Sequence, residues 1–97
     1  MTTRHQVTCI IPHQTDERRI HAVGGPDDGG WMMLEADAIR GLLSSAFTLF
    51  TFEAGSYAEV QVMENGHLQW LQTVADGVPT NNLSRLPRCP ITYRQVA

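Results

Sequence analysis

The side chains in this chain that are able to do chemistry are few and scattered. Cys9 and His5 stand four apart in an alternating apolar segment. A cysteine nucleophile needs a depressed pKa and an electropositive, accessible setting. Cys9 lies between Val7 and Ile11 on the expected core side, so it reads as a small buried hydrophobe. Cys89 follows Arg85 and Arg88, which would stabilise a thiolate, and His67 is the one histidine left to serve it as a base. These two are the only catalytic candidates. His5, His13 and His21 recur every eight residues. On a hairpin, however, His5 takes one face, His13 the turn and His21 the other face, so they do not converge on a metal, and no CxxC pattern accompanies them. The run Gly24 to Gly30 holds Asp27 and Asp28 and lacks the GK[ST] of a phosphate cradle. It reads as a surface loop. The densest polar group is Thr73, Asp76, Asn81, Asn82 and Arg85, with Trp70 or Trp31 available as a flat wall. Turn-shaping and capping explain most of it, and a small binding groove is the functional alternative.

The elements that must hold these residues follow from periodicity. Arg4 to Pro12 alternates and is rich in Val, Ile and Thr, as a strand is. Gln14 to Glu17 is turn-like, and Arg18 to Gly24 resumes the strand pattern. Pairing Ile11 with Ile20 and Cys9 with Ala22 puts Val7, Cys9, Ile11, Ile20 and Ala22 on one buried side. After the Gly24–Gly30 loop the period changes. Ala36, Ile39, Leu42, Leu43 and Ala46 form a stripe that predicts a helix over 35–46, with Glu35 and Asp37 favoured by the dipole of its first turn. Gly41 costs that helix about 1 kcal/mol relative to alanine. Strands are expected at 48–53, at 57–63 and from Gly66 onward. A two-residue Asn65-Gly66 loop would set Gln61 opposite Trp70 and leave both faces mixed. A three-residue loop, Glu64-Asn65-Gly66, collects Ala58, Val60, Val62, Leu68 and Trp70 on one apolar face, and is the arrangement preferred. The strand signal fades after Thr73. Asp76-Gly77 makes a turn, Asn81 or Asn82 caps a short helical turn, and 90–97 reads as a loosely held tail. The expected architecture is a single α+β domain, ordered over about 4–89. It has one helix on a small, mostly antiparallel sheet of about five strands, in the order β-β-α-β-β-β, then a short helical turn.

Composition narrows the function. All seven basic residues are arginine, which removes Schiff-base and Walker-lysine chemistry, and the net charge of −3 argues against a general nucleic-acid binder. No apolar run is long enough for a membrane span, and no cofactor motif is present. Two distant cysteines without a secretion signal are expected as reduced thiols in a cytoplasm; in an oxidising compartment they would pair as Cys9–Cys89.

The pieces Ile20-x-x-Val23-Gly24-Gly25, Trp31, Ala38-Ile39, Trp70-Leu71-Gln72-Thr73, Asp76-Gly77 and Asn82-Leu83-x-x-Leu86-Pro87-x-Cys89 together resemble the family catalogued as domain of unknown function 3892, over about residues 7–89. The resemblance implies a small single-domain bacterial protein and carries no activity. That family often has a basic residue where Gln72 stands. The expectation is a non-enzymatic interaction or accessory module that binds a protein or peptide partner or a second copy of itself. Trp31, Trp70, Thr73, Asp76, Asn82 and Arg85 are its candidate contacts. The alternatives are a cysteine enzyme built on Cys89 with His67, and a weak nucleic-acid contact through Arg85, Arg88 and Arg94.

Overall fold

The computed structural model describes residues 3–15, 19–53, 55–80, 82–90 and 92–96. The first-loop residues Asp16 to Arg18 and the candidate cap Asn81 lie outside these. The first strand does not stay in one sheet. Its opening half, β1 (Thr3–Gln6), runs parallel to β5 (Phe47–Glu53), and its second half, β2 (Cys9–Pro12), pairs antiparallel with β3 (Ile20–Gly25). The transfer takes two residues: the Val7 amide donates to the Phe50 carbonyl (2.8 Å) and the Thr8 amide to the Gly24 carbonyl (2.9 Å). A side-chain alternation cannot survive such a crossing. Val7 and Ile10, three apart, both enter the hydrophobic core.

Two mixed sheets result. The first orders β1, β5, β6 (Ser56–Asn65), β7 (Leu68–Ala75) and β8 (Val78–Thr80); the second orders β2, β3, β4 (Trp31–Leu34) and β9 (Arg94–Gln95), with β9 parallel to β4. The α+β class and the single helix agree with the sequence pattern. The single, mostly antiparallel sheet is corrected to two mixed ones. The stretch 90–97, expected as a tail, instead carries β9, held by Arg94 N–H to Gly30 O and Val96 N–H to Met32 O.

Register departs from expectation in both hairpins. In the first, Ile11 faces Ala22 and Cys9 faces Gly24, with an irregularity before Pro12 meets Ile20. Ile10 and Val23 therefore point into the core, while Cys9 and Ala22 are buried on the other side. In the second, the loop is Gly66-His67. Gly66 has φ 63° and His67 stays on the negative side, the φ signature of a type II′ turn. Asn65 then faces Leu68, Val62 faces Leu71 and Val60 faces Thr73. The preferred three-residue loop is corrected: the inner face is Ala58, Val60, Leu71 and Thr73, while Leu68 is 58% exposed and Trp70 half-buried on the outer face. The turn beyond, Asp76-Gly77, has positive φ at both residues and closes the β7–β8 hairpin as a type I′ turn, so the strand signal does not end at Thr73.

The helix α1 (Glu35–Leu43) begins where expected because it continues directly from β4, which also sets its rotation. Its buried residues are Glu35, Ala38, Ile39 and Gly41; Ala36 and Leu43, assigned to the packing stripe, are exposed. The one-third-exposed Arg19 side chain reaches Glu35 Oε1 at 2.5 Å, partnering a carboxylate that would otherwise be buried alone. The helix stops at Leu43, short of 46, in a Schellman pattern: Ala46 N–H bonds Gly41 O, Ser45 N–H bonds Leu42 O, and Ser45 takes φ 61°. It packs against strands of both sheets. No helix among the described residues is long and apolar enough to cross a membrane.

One further correction is covalent. Cys9 and Cys89 form a disulfide spanning a sequence separation of 80, where two reduced thiols were expected. The segment that brings Cys89 there runs beside β2: Ile10 N–H donates to Pro87 O (2.9 Å) and Cys89 N–H to Ile10 O (3.0 Å). The bridge lies over Gly24, where a Cβ would come within 2.8 and 2.9 Å of the two sulfurs. Only glycine leaves room for it there.

Candidate functional site

The candidate site lies where the two sheets part. β1 ends one sheet and β9 the other, and between them opens a cavity of about 190 Å³. Alternation places its walls: β4 sends in Trp31 and Met33, two apart, and β5 sends in Phe47 and Leu49, also two apart. The Phe47 ring lies flush on the helix at Gly41, where a Cβ would be 2.1 Å from the ring. Val96, just beyond β9, completes the apolar lining.

Three polar side chains stand at the mouth: His5 from β1, Asp27 from the Gly-rich loop, and Arg94 from β9. The loop expected as plain surface is a rim with a defined shape. Asp27–Gly29 forms a 3-10 turn closed by Gly30 N–H to Asp27 O (3.0 Å), and the Tyr93 ring covers Gly30 so closely that a Cβ there would collide with it. This places the Asp27 carboxylate 3.0 Å from His5 Nδ1. The His5 imidazole in turn meets the rings of Trp31 (5.9 Å) and Phe47 (6.5 Å) edge-on. Asp27 is thus committed to His5. The Arg94 side chain makes no ion pair or hydrogen bond among the described residues.

Size decides what such a cavity holds. Sites for drug-sized ligands run about 300–1,000 Å³, whereas about 150 Å³ of apolar space accommodates benzene. This one fits a single large apolar side chain. The His5–Asp27 pair has the geometry of an oriented base, yet among the described residues the lining contains no Ser, Thr, Cys or Lys for it to activate. Among the described residues no group of three or more His, Cys, Asp or Glu is placed to hold a metal.

Of the six candidate contacts singled out from the sequence only Trp31 lines this cavity, while His5, Asp27 and Arg94, noted there in other roles, line it as well. Trp70 lies on the outer face of the first sheet, opposite Met63. Thr73 is fully buried: its Oγ1 donates to Thr80 O (3.1 Å) and accepts from Thr80 Oγ1 (2.8 Å) and Leu83 N–H (3.3 Å), tying β7 and β8 to the 3-10 turn Leu83–Arg85. Asp76 is exposed in its turn. Asn82 precedes the 3-10 turn without a side-chain cap, reaching Ser56 Oγ at 3.5 Å, and Arg85 is exposed. Cys89 has no thiol to ionise while bonded to Cys9, and His67 is exposed at the β6–β7 tip. The Cys89–His67 nucleophile is therefore corrected for the oxidised protein. His5, Asp27, Phe47 and Arg94 carried no local signal as a set, since they come from four separate elements.

A second surface feature stands outside the cavity. Arg4 lies over Phe50 (4.8 Å) and Tyr57 (5.6 Å), whose rings stack at 5.5 Å, and bonds Glu59 at 3.0 Å while Tyr57 also bonds Glu59. Its charges are satisfied within the cluster.

No curated protein and no solved structure matches the chain. The model of a family described as a protein of unknown function, DUF3892, matches residues 6–87. That span takes in β2 through the 3-10 turn after β8, together with the cavity walls Trp31, Met33, Phe47 and Leu49, and the chain belongs to the DUF3892 family.

Proposed function

We propose that the protein is a small non-enzymatic interaction module, and that its binding element is the seam cavity between β1 and β9. The observation that carries this is the pairing of one apolar pit, sized for one side chain, with two edge strands, β1 and β9, that have no further strand beside them among the described residues. An extended partner segment can lay its backbone along such an edge and drop one side chain into a pocket, with main-chain bonds supplying affinity and the pocket specificity. The test is NMR titration of the labelled protein with a panel of short extended peptides. Binders should perturb the Trp31 indole and the Phe47 ring, and Val96→Trp, which fills the cavity from its rim, should abolish binding without lowering the unfolding midpoint. Binding that survives Val96→Trp refutes this use of the cavity.

Self-association is a second reading with its own surface. Phe52 (56% exposed) and Leu68 flank the outer face of the first sheet, where Trp70 also lies. Light scattering across a concentration series tests it, a strict monomer removing it. As to compartment, the Cys9–Cys89 bond favours an oxidising setting over a cytoplasm. Thiol trapping on protein taken directly from cells distinguishes them.

A further inference from the structure

We infer that the seam cavity recognises the C-terminal residue of a peptide: an apolar last side chain in the pit and the terminal carboxylate on Arg94. This rests on the interaction-module reading and specifies its ligand. The mouth holds one anion and one dependable cation. Asp27 is turned to His5, its Oδ2 3.0 Å from Nδ1. Arg94 is exposed and unpartnered among the described residues, on the same rim as an apolar pit. A guanidinium fork is shaped for a carboxylate. A chain passing through the seam would have to bring an acidic side chain from a neighbouring residue to reach it. A chain that ends there supplies both features from one residue, because its carboxylate is bonded to the same Cα as the side chain in the pit. The residues before it then run back along the β1 or β9 edge, where backbone donors and acceptors face outward. The volume sets the class of last residue: about 190 Å³ accepts a valine, leucine, methionine or phenylalanine side chain and leaves no space for a larger ligand body.

The experiment uses the full oxidised chain and fluorescein-labelled hexapeptides of alternating threonine and valine, ending in valine, leucine, methionine or phenylalanine. Each is tested as the free acid, as the C-terminal amide, and extended by two serines. At least one free acid should bind saturably, with its amide and extended forms weaker by about tenfold or more, as expected for a lost charge-assisted bond. Arg94→Gln should bring the free acid down to the level of the amide and leave the amide unchanged. Equal binding of acid, amide and extended forms, with shifts at Trp31, overturns the terminal-carboxylate inference and leaves the module reading standing. Competition by the free apolar amino acid at the affinity of the peptide assigns the site to small acids and overturns the peptide ligand. Absence of binding by every peptide overturns both.

Discussion

Breaking the Cys9–Cys89 bond is the perturbation whose size the structure sets most directly. The bond joins residues 80 apart, and the loop-closure relation assigns it roughly 15 cal/mol/K of unfolded-state entropy, about 4.5 kcal/mol at 25 °C. A domain of 97 residues has a total stability of roughly 5–15 kcal/mol, so the bond carries a large share of it. The fold should nonetheless survive reduction in the absence of denaturant. Two backbone hydrogen bonds hold residues 87–89 to Ile10, Leu83 stays in the core, and β9 has its own bonds to Gly30 and Met32. Urea unfolding followed by tryptophan fluorescence, with and without a phosphine reductant, measures the effect. With an m-value of about 1–3 kcal/mol/M, the midpoint should fall by about 1.5 M or more. Cys9→Ala with Cys89→Ala should match the reduced wild type to within about 1 kcal/mol, since the entropic term acts through the unfolded chain and both lack it. If the untreated protein titrates with two free thiols and reductant leaves its midpoint unmoved, the bond and the reasoning both fall.

Three further outcomes follow from particular contacts. Gly41→Ala, which in an ordinary helix stabilises by about 1 kcal/mol, should here destabilise by about 1–2 kcal/mol: the new methyl meets the Phe47 ring, and a higher unfolding midpoint would show that the ring yields freely. Ser45→Gly removes a side chain from a residue held at φ 61° and should raise stability by about 0.5–1 kcal/mol, read as an increased melting temperature. Arg19→Met strips the only charged partner that the buried Glu35 carboxylate has among the described residues. It should cost about 1–3 kcal/mol, less than a fully buried pair because Arg19 is one-third exposed, and Glu35→Gln in the same background should recover part of it. No recovery would mean that Glu35 is not stranded.

Most of the segments were legible because their signals are local. The β5 and β6 strands announce themselves by alternation, α1 by a change of period at Glu35, and Asp76-Gly77 by a dipeptide that tolerates two positive φ angles. Family membership was equally readable, from short motifs between Ile20 and Cys89. The candidate site was not. Trp31 is conspicuous in any reading, but His5, Asp27, Phe47 and Arg94 meet only because β1 and β9 end opposite sheets and the Gly24–Gly30 loop folds back on its own rim.

Alternation says which residues share a face, and says nothing of which face is buried. That choice depends on what the other elements cover. Trp70 looks like core by hydrophobicity and lies outside, because the Gly66-His67 turn gives the inner face to Leu71 and Thr73. Ile10 looks like the outer side of a strand and is core, because the chain changes sheets at Val7 and Thr8. The cysteines were visible as two residues and their pairing only as the alternative to reduced thiols, since it requires the segment at Pro87 to find the free edge of β2 and Gly24 to leave the space beneath. Residue types and their periods thus specified the strands, the helix and the turns. The pairing between sheets, the buried faces, the disulfide and the cavity arose from competition for the same limited interior, which no local stretch of the chain records.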